Sequence, residues 1–245
     1  MKGVILAGGM ATRLQPLTLV TNKHLLPIYN KPMIYYSLEA MKKSGITEVL
    51  LSTSPDHAGD FANLLGGGET FGLKLYYAIQ KNPKGGIAQA ISLAEEFANN
   101  EPITVILGDN IFSSNLKPAA DMMRTEKTGA IIFGVRRDTK SSQYGVIEMD
   151  SSGMVISLEE KPKNPKSDIV QTGIYMYDRH VFDYIRTLQP SARMELEVTD
   201  LNNCYLSRGS LRCEIIDWWV DAGTSFDELL HANIDVANKW KNGEL

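Results

Sequence analysis

The chain predicts an α/β fold with a parallel central sheet, and three observations carry that reading. Short apolar runs at residues 4–7, 49–51 and 103–107 read as buried strands. Segments with helical spacing, 33–43 and 87–97, lie between them. A strand–helix–strand rhythm calls for right-handed crossovers and a sheet covered on both faces. The 245 residues are expected to form one domain over 1–245, burying roughly 70–75% of the unfolded surface.

The first run ends at Gly8 and Gly9, followed by Met10-Ala11-Thr12-Arg13-Leu14. Two glycines let the backbone turn with its N–H groups outward, and no side chain blocks a bulky ligand. Thr12 adds a hydroxyl donor and Arg13 a planar cationic fork suited to phosphate oxygens. The stretch is therefore a candidate polyphosphate cradle, with a plain turn and a surface arginine as the alternative. Lys23 lies close enough in sequence to serve the same ligand. The helix over 33–43 ends at Gly45, a natural C-cap. A strand at 49–51, a turn, a helix near 57–65 and a strand over 73–79 follow. Lys81-Asn82-Pro83-Lys84-Gly85-Gly86 then launches a helix with Ile87, Ala90, Ile91, Ala94 and Phe97 on one face.

The strand at 103–107 ends in Gly108-Asp109-Asn110. Ligands of open parallel sheets bind beyond the carboxyl ends of the strands, which places Asp109 on the same edge as the glycine loop. A carboxylate there suits a hydrated Mg2+ held through one or two carboxylates and substrate phosphates, or it caps a turn. Residues 131–135 form another strand. From about 141 to 177 short strands and turns suggest a small antiparallel insertion covering the ligand edge, with Glu159-Glu160-Lys161-Pro162 inside it. Helices over 179–188 and 197–208, a strand at 211–216 and a loop at 218–224 complete the sheet and lead into a closing helix. Phe226, Leu229, Leu230, Ile234, Ala237 and Trp240 are its expected core face.

The net charge of −4 gives no general attraction to nucleic acid or an anionic membrane. No apolar run approaches the ~20 residues of a membrane span, and the start lacks a secretory leader, so a cytoplasmic protein is expected. Cys204 and Cys213 read as reduced thiols, and the four histidines lack zinc-site spacing. The glycine loop is not the G-x-G-x-x-G of a dinucleotide-binding oxidoreductase, and no Gly-Lys-Ser/Thr makes it a kinase P-loop.

Together, Gly8-Gly9-Met10-Ala11-Thr12-Arg13-Leu14, Lys23 with Leu25-Leu26-Pro27, Leu107-Gly108-Asp109-Asn110, Glu159-Glu160-Lys161-Pro162 and Trp219-Val220-Asp221-Ala222-Gly223-Thr224 are far more specific than any one piece. In order and spacing they resemble the sugar-1-phosphate nucleotidyltransferases, from Lys2 to about Trp240. The resemblance implies a Rossmann-like, three-layer fold with a mixed, mainly parallel sheet. It also implies a single displacement in which glucose 1-phosphate attacks the α-phosphorus of dTTP, giving dTDP-glucose and pyrophosphate with Mg2+ as cofactor.

Carried over residue by residue, Leu6, Ala7, Gly8, Gly9 and Asp109 would line the nucleotide. Gln80 and Gly86, or Gly85 in its place, would read the thymine edge. Arg13 and Lys23 would meet the phosphates, and Lys161 would orient the sugar phosphate. Asn110, Tyr144, Gly145, Glu160, Gln171, Thr172, Gly173, Tyr175 and Trp219 would shape the hexose pocket, and Asp109 and Asp221 would hold the metal. The same resemblance implies a role in deoxysugar supply for surface polysaccharides and leaves a homo-oligomer open. Because the chain stops soon after its closing helix, the second, regulatory nucleotide site of longer members is not expected in full. A competing reading is a sugar-nucleotide-binding module with a dead site, which would not need both metal carboxylates. Ala11 stands where the family usually has glycine: a left-handed backbone there would cost about 1–2 kcal/mol, so either the backbone is not left-handed or the loop is slightly altered. His24 stands where a glutamine or another small polar residue is more usual, and no chemistry attaches to it.

Overall fold

The computed structural model describes residues 1–137 and 141–244. β1 (Lys2–Ala7) opens the chain, and three single turns lead to the hairpin of β2 (Pro27–Ile28) and β3 (Lys31–Pro32). Next come α1 (Met33–Lys43), β4 (Glu48–Thr53), α2 (Ala58–Leu65) and β5 (Lys74–Ile79). α3 (Ile87–Ser92), α4 (Glu95–Ala98), β6 (Ile103–Leu107), β7 (Asn110–Phe112), α5 (Lys117–Glu126) and β8 (Ala130–Arg136) form the middle. β9 (Gly145–Met149), β10 (Val155–Glu160) and β11 (Ile169–Tyr177) follow, then α6 (Val181–Thr187) and α7 (Val198–Leu206). β12 (Leu211–Ile215), β13 (Trp219–Asp221) and α8 (Phe226–Lys241) close the chain.

The main sheet runs β10-β9-β11-β6-β1-β4-β5, with β8 on β11 and β12 on β8. β1 pairs in parallel with β4 and β6, and β5 in parallel with β4. β11 enters antiparallel to β6, β8 and β9, so the sheet is mixed. Alternation along β1 explains the three layers: Ile5 and Ala7 join one core with Ile34, Leu38 and Phe61, while Val4 and Leu6 join another with Ile91, Phe182 and Leu201. A strand buried on both faces is the continuous apolar run seen in the sequence. The parallel strands β1, β5 and β6 deliver Gly8, Gln80 and Asp109 to one edge.

Several elements differ from the expected ones. The helix foreseen over 87–97 breaks into α3 and α4, where the Ser92 hydroxyl donates to the Gln89 carbonyl (2.7 Å) and competes with the helical ladder. α5 lies in a stretch given no element from sequence, although Asn115 Oδ1 accepts from Lys117 N (3.0 Å) at its start. Trp219–Asp221, expected as loop, is β13, paired with β7. β11 belongs to the main sheet and is buried along all nine residues; β9 and β10 continue that sheet outward.

The closing helix corrects the expected core face. Phe226, Leu230, Ile234 and Trp240 are exposed, and Ala232 and Val236 are buried with Leu229 beside them. The helix sits on Ile28, Tyr36 and Val220, where small side chains let it approach closely. Its hydrophobic spacing alone did not distinguish that stripe from the larger one on its outer side.

Candidate active site

Two cavities open at the carboxyl edge and share Ile87, Leu107 and Glu195 as a common wall. The smaller, about 260 Å³, is lined by Leu6, Gly8, Gly9, Lys23, Gln80, Gly86 and Asp109. Two expected nucleotide contacts fall elsewhere. Ala7 is buried behind the loop with its carbonyl accepting from Asn22 Nδ2 (3.2 Å), and Gly85 lies outside the wall, so Gly86 is the one that faces the cavity. His24, given no role from sequence, also lines this cavity. Its backbone N and Nδ1 both meet Asn22 Oδ1, at 2.9 and 2.7 Å. Burial, aided by the Lys23 charge, pushes its imidazole down to about 3, so it is neutral.

The larger cavity, about 850 Å³, is lined by all ten residues assigned to the hexose side, Asn110, Tyr144, Gly145, Glu160, Lys161, Gln171, Thr172, Gly173, Tyr175 and Trp219. Arg13, expected on the nucleotide phosphates, opens onto this cavity as well. Asn110 is the knot of the site. Its Oδ1 accepts from Gly173 N (2.7 Å) and from Trp219 Nε1, while its Nδ2 donates to Asp109 Oδ1 (3.0 Å). Tyr144 and Trp219 meet edge to face at 5.4 Å, with the Arg137 guanidinium over both rings. The Tyr144 hydroxyl is buried with no hydrogen-bond partner among the described residues. Burial pushes its pKa up to about 12, so it remains a proton donor awaiting an acceptor.

Glu160 accepts from Thr199 Oγ1 (2.6 Å) and pairs with Lys161 Nζ (3.4 Å) and Arg193 Nη2 (3.5 Å). Arg193 is held in turn by Glu197 through Nε (3.2 Å) and Nη2 (2.8 Å). Sequence reading gave Arg193 no role, yet it lines this cavity together with Arg13 and Lys161. The surrounding stretch, Pro190-Ser191-Ala192-Arg193, has no local chemistry that points to a ligand on its own.

Lys23 and Asp109 line the smaller cavity, and Asp221 lines the larger. Lys23 is ion-paired to Asp109. β13 brings Asp221 opposite Asn110, across more than a hundred residues of chain. Burial opposes ionisation of Asp109, but Lys23 and hydrogen bonds from Lys23 and Asn110 outweigh it and hold the carboxyl down to about 2. Burial and the Asp109 charge push Asp221 up to about 6. Burial likewise disfavours charge on Lys23, yet Asp109 and Asp221 keep its pKa above the ordinary lysine value. Two carboxylates around a resident ammonium form a pocket built for positive charge. As a donor set they fit a divalent cation that completes its shell with water and phosphate oxygens.

Three loop residues around the site have left-handed backbone without being glycine: Ala11 (φ 48°), Lys161 (φ 45°) and Met194 (φ 61°). The question left by the sequence at Ala11 is thus resolved in favour of strain, and the Thr18 hydroxyl holds that turn by donating to the Ala11 carbonyl (2.9 Å). Ala11→Gly is expected to stabilise the fold by about 1 kcal/mol, raising Tm by roughly 2–4 °C. Calorimetry showing an unchanged or lower Tm would remove strain at this position.

The nucleotidyl transferase family profile matches residues 2–239. A glucose-1-phosphate thymidylyltransferase from Neisseria gonorrhoeae is 45% identical over 240 residues, covering 94% of this chain and 80% of that protein. One from Actinoplanes sp. is 43% identical over 231 residues, covering 93% and 75%. A Bacillus anthracis protein assigned to the same enzymes, crystallised with sucrose, superposes with a TM-score of 0.90 at 46% identity, covering 96% and 94%. A UDP-glucose pyrophosphorylase bound to UDP-glucose shares the fold, with a TM-score of 0.83 at 24% identity. With the profile running from β1 into α8 and relatives above 40% identity along nearly the whole length, this chain belongs to the nucleotidyl transferase family.

Proposed function

We propose that this chain, acting as one catalytic unit in the cytoplasm, joins dTTP and α-D-glucose 1-phosphate to give dTDP-glucose and pyrophosphate. The observation that carries this reading is a pair of cavities sharing one wall, with Lys23 and Asp109 lining the smaller and Asp221 lining the larger. The smaller, flanked by the glycine loop and Gln80, takes the nucleotide; the larger, with its polar wall, takes the hexose phosphate. A phosphoryl oxygen of glucose 1-phosphate attacks the α-phosphorus, the α–β bridging bond breaks in line, and pyrophosphate departs. No side chain forms a covalent intermediate. Catalysis is positioning and charge stabilisation.

Lys161 and Arg193 hold the attacking phosphate in the larger cavity, and Glu160 fixes both cations. Lys23 and Arg13 neutralise charge on the triphosphate. Asp109 and Asp221 would hold Mg2+, which would supply charge screening for the phosphates and the pyrophosphate. The unpartnered Tyr144 hydroxyl finds its acceptor on the hexose. Among the described residues no helix is long and apolar enough to cross a membrane.

The test is pyrophosphate release with glucose 1-phosphate and Mg2+, offering dTTP, UTP, CTP and ATP separately. Fastest release is expected with dTTP and slower release with UTP, since one methyl group is worth only about 1–3 kcal/mol. Release with none of the four, alongside nucleotide binding, would favour a sugar-nucleotide-binding module.

A further inference from the structure

Gln80 is 5% exposed at the end of β5 and lines the smaller cavity. Its side chain lies on the glycine loop so closely that a Cβ at Gly8 would meet its Oε1 at 2.1 Å. A carboxamide has one accepting and one donating end, and its neighbours decide which end meets a ligand. Here Gln80 Nε2 donates to Gln89 Oε1 (3.3 Å) from α3. Gln80 Oε1 has no donor among the described residues. Gln89 packs under Gly85, where a Cβ would lie 2.7 Å from its Oε1 and 2.9 Å from its Cγ and Cδ. Gly85 therefore makes room for Gln89 instead of facing the base.

We infer that Gln89 is a specificity-determining positioning residue: by anchoring the Gln80 amide, it sets an acceptor toward the base and thereby selects thymine and uracil over cytosine. The inference rests on the nucleotide reading of the smaller cavity. Thymine and uracil carry an N3–H donor beside the O4 acceptor, whereas cytosine carries an N3 acceptor beside the N4 amino donor. Gln80 Oε1 accepts from N3–H, and the second Nε2 hydrogen is free to meet O4. With cytosine in the same place, acceptor would face acceptor and donor would face donor. Once the anchor is gone, the amide turns over and presents its opposite pattern. Discrimination then falls because a polar mismatch no longer has to be left unpaired.

The test compares kcat/KM for dTTP and dCTP in wild type, Gln89→Met and Gln89→Glu, with glucose 1-phosphate and Mg2+. Met fills nearly the same volume without hydrogen-bonding an amide strongly, and Glu retains an acceptor for Gln80 Nε2. Gln89→Met is expected to lower the dTTP:dCTP ratio about tenfold or more, with KM for glucose 1-phosphate within about twofold. Gln89→Glu is expected to keep the wild-type ratio, because both triphosphates feel its added charge equally. An unchanged ratio in Gln89→Met, or a loss in Gln89→Glu as large as in Gln89→Met, would overturn the inference. Wild type inactive with dTTP would instead overturn the proposed function itself.

Discussion

Asp221→Asn is expected to lower turnover at least ~10²-fold while raising the metal-free Tm at pH 7, the first being the scale of losing one preorganised charge stabiliser. The two effects have one cause. Burial and the neighbouring Asp109 make an ionised Asp221 unfavourable and push its carboxyl up to about 6 from an ordinary 3.8. A carboxyl whose folded pKa is raised contributes stability at low pH that is lost as pH climbs through the folded value. The Tm advantage of Asp221→Asn is therefore expected to open between pH about 4 and about 6 and to stay open at 7. An amide oxygen still accepts the Gly223 N–H that Asp221 Oδ1 accepts now (3.2 Å), so the local turn survives. Saturating Mg2+ with dTTP should shrink the advantage, since a ligand bound by wild type stabilises it by mass action. Near-wild-type turnover would take Asp221 out of the catalytic centre. A Tm lower than wild type across the whole pH range would show its charge to be favourable where it stands.

Lys23→Met is expected to have the opposite effect on stability and the same effect on rate. Lys23 is the cation paired with Asp109 and within the field of Asp221. Removing it leaves two carboxylates facing each other in a largely enclosed site. Breaking a buried pair from one side costs about 3–5 kcal/mol, and the ends of this pair retain some solvent, so about 2–3 kcal/mol is the expected loss. Turnover falls with it, because the same ammonium serves the triphosphate. The double variant Lys23→Met/Asp109→Asn is expected to recover most of the lost stability and none of the activity. Chemical denaturation of the two variants separates the terms. If the single variant is as stable as wild type, the pair is solvated and contributes nothing to the fold. If the double variant is no more stable than the single one, packing of the lysine stem, not its charge, holds this corner together.

Much of this was legible from the chain alone. Strands buried on both faces announce themselves as continuous apolar runs, so β1, β4 and β6 were readable, with Gly8 and Asp109 at their ends. Met33–Lys43 matched residue for residue because its apolar spacing and the Gly45 stop agree. Local signals were weaker where two faces of one helix are both apolar. In α8 Phe226, Leu230, Ile234 and Trp240 are exposed, while Ala232 and Val236, with Leu229 beside them, pack on the surface that includes Ile28 and Val220.

The linear chain encodes the family, the strand-end loops and the inventory of charges. These depend on short spacings and on residue chemistry, which a linear reading carries. Tertiary structure alone decided how those charges meet. The β7–β13 pairing places Asp221 beside Asn110 and Asp109. Asn110 ties Gly173 and Trp219 to the same carboxylate, and Gln89 reaches Gln80 across a turn. It also decided that Ala11 would be left-handed, since the segment carrying Thr18 holds the loop in that shape. The β7–β13 pairing and the Asn110 bonds to Gly173 and Trp219 join segments far apart along the chain, and the shorter contacts depend on how their turns close, so no local pattern encodes them.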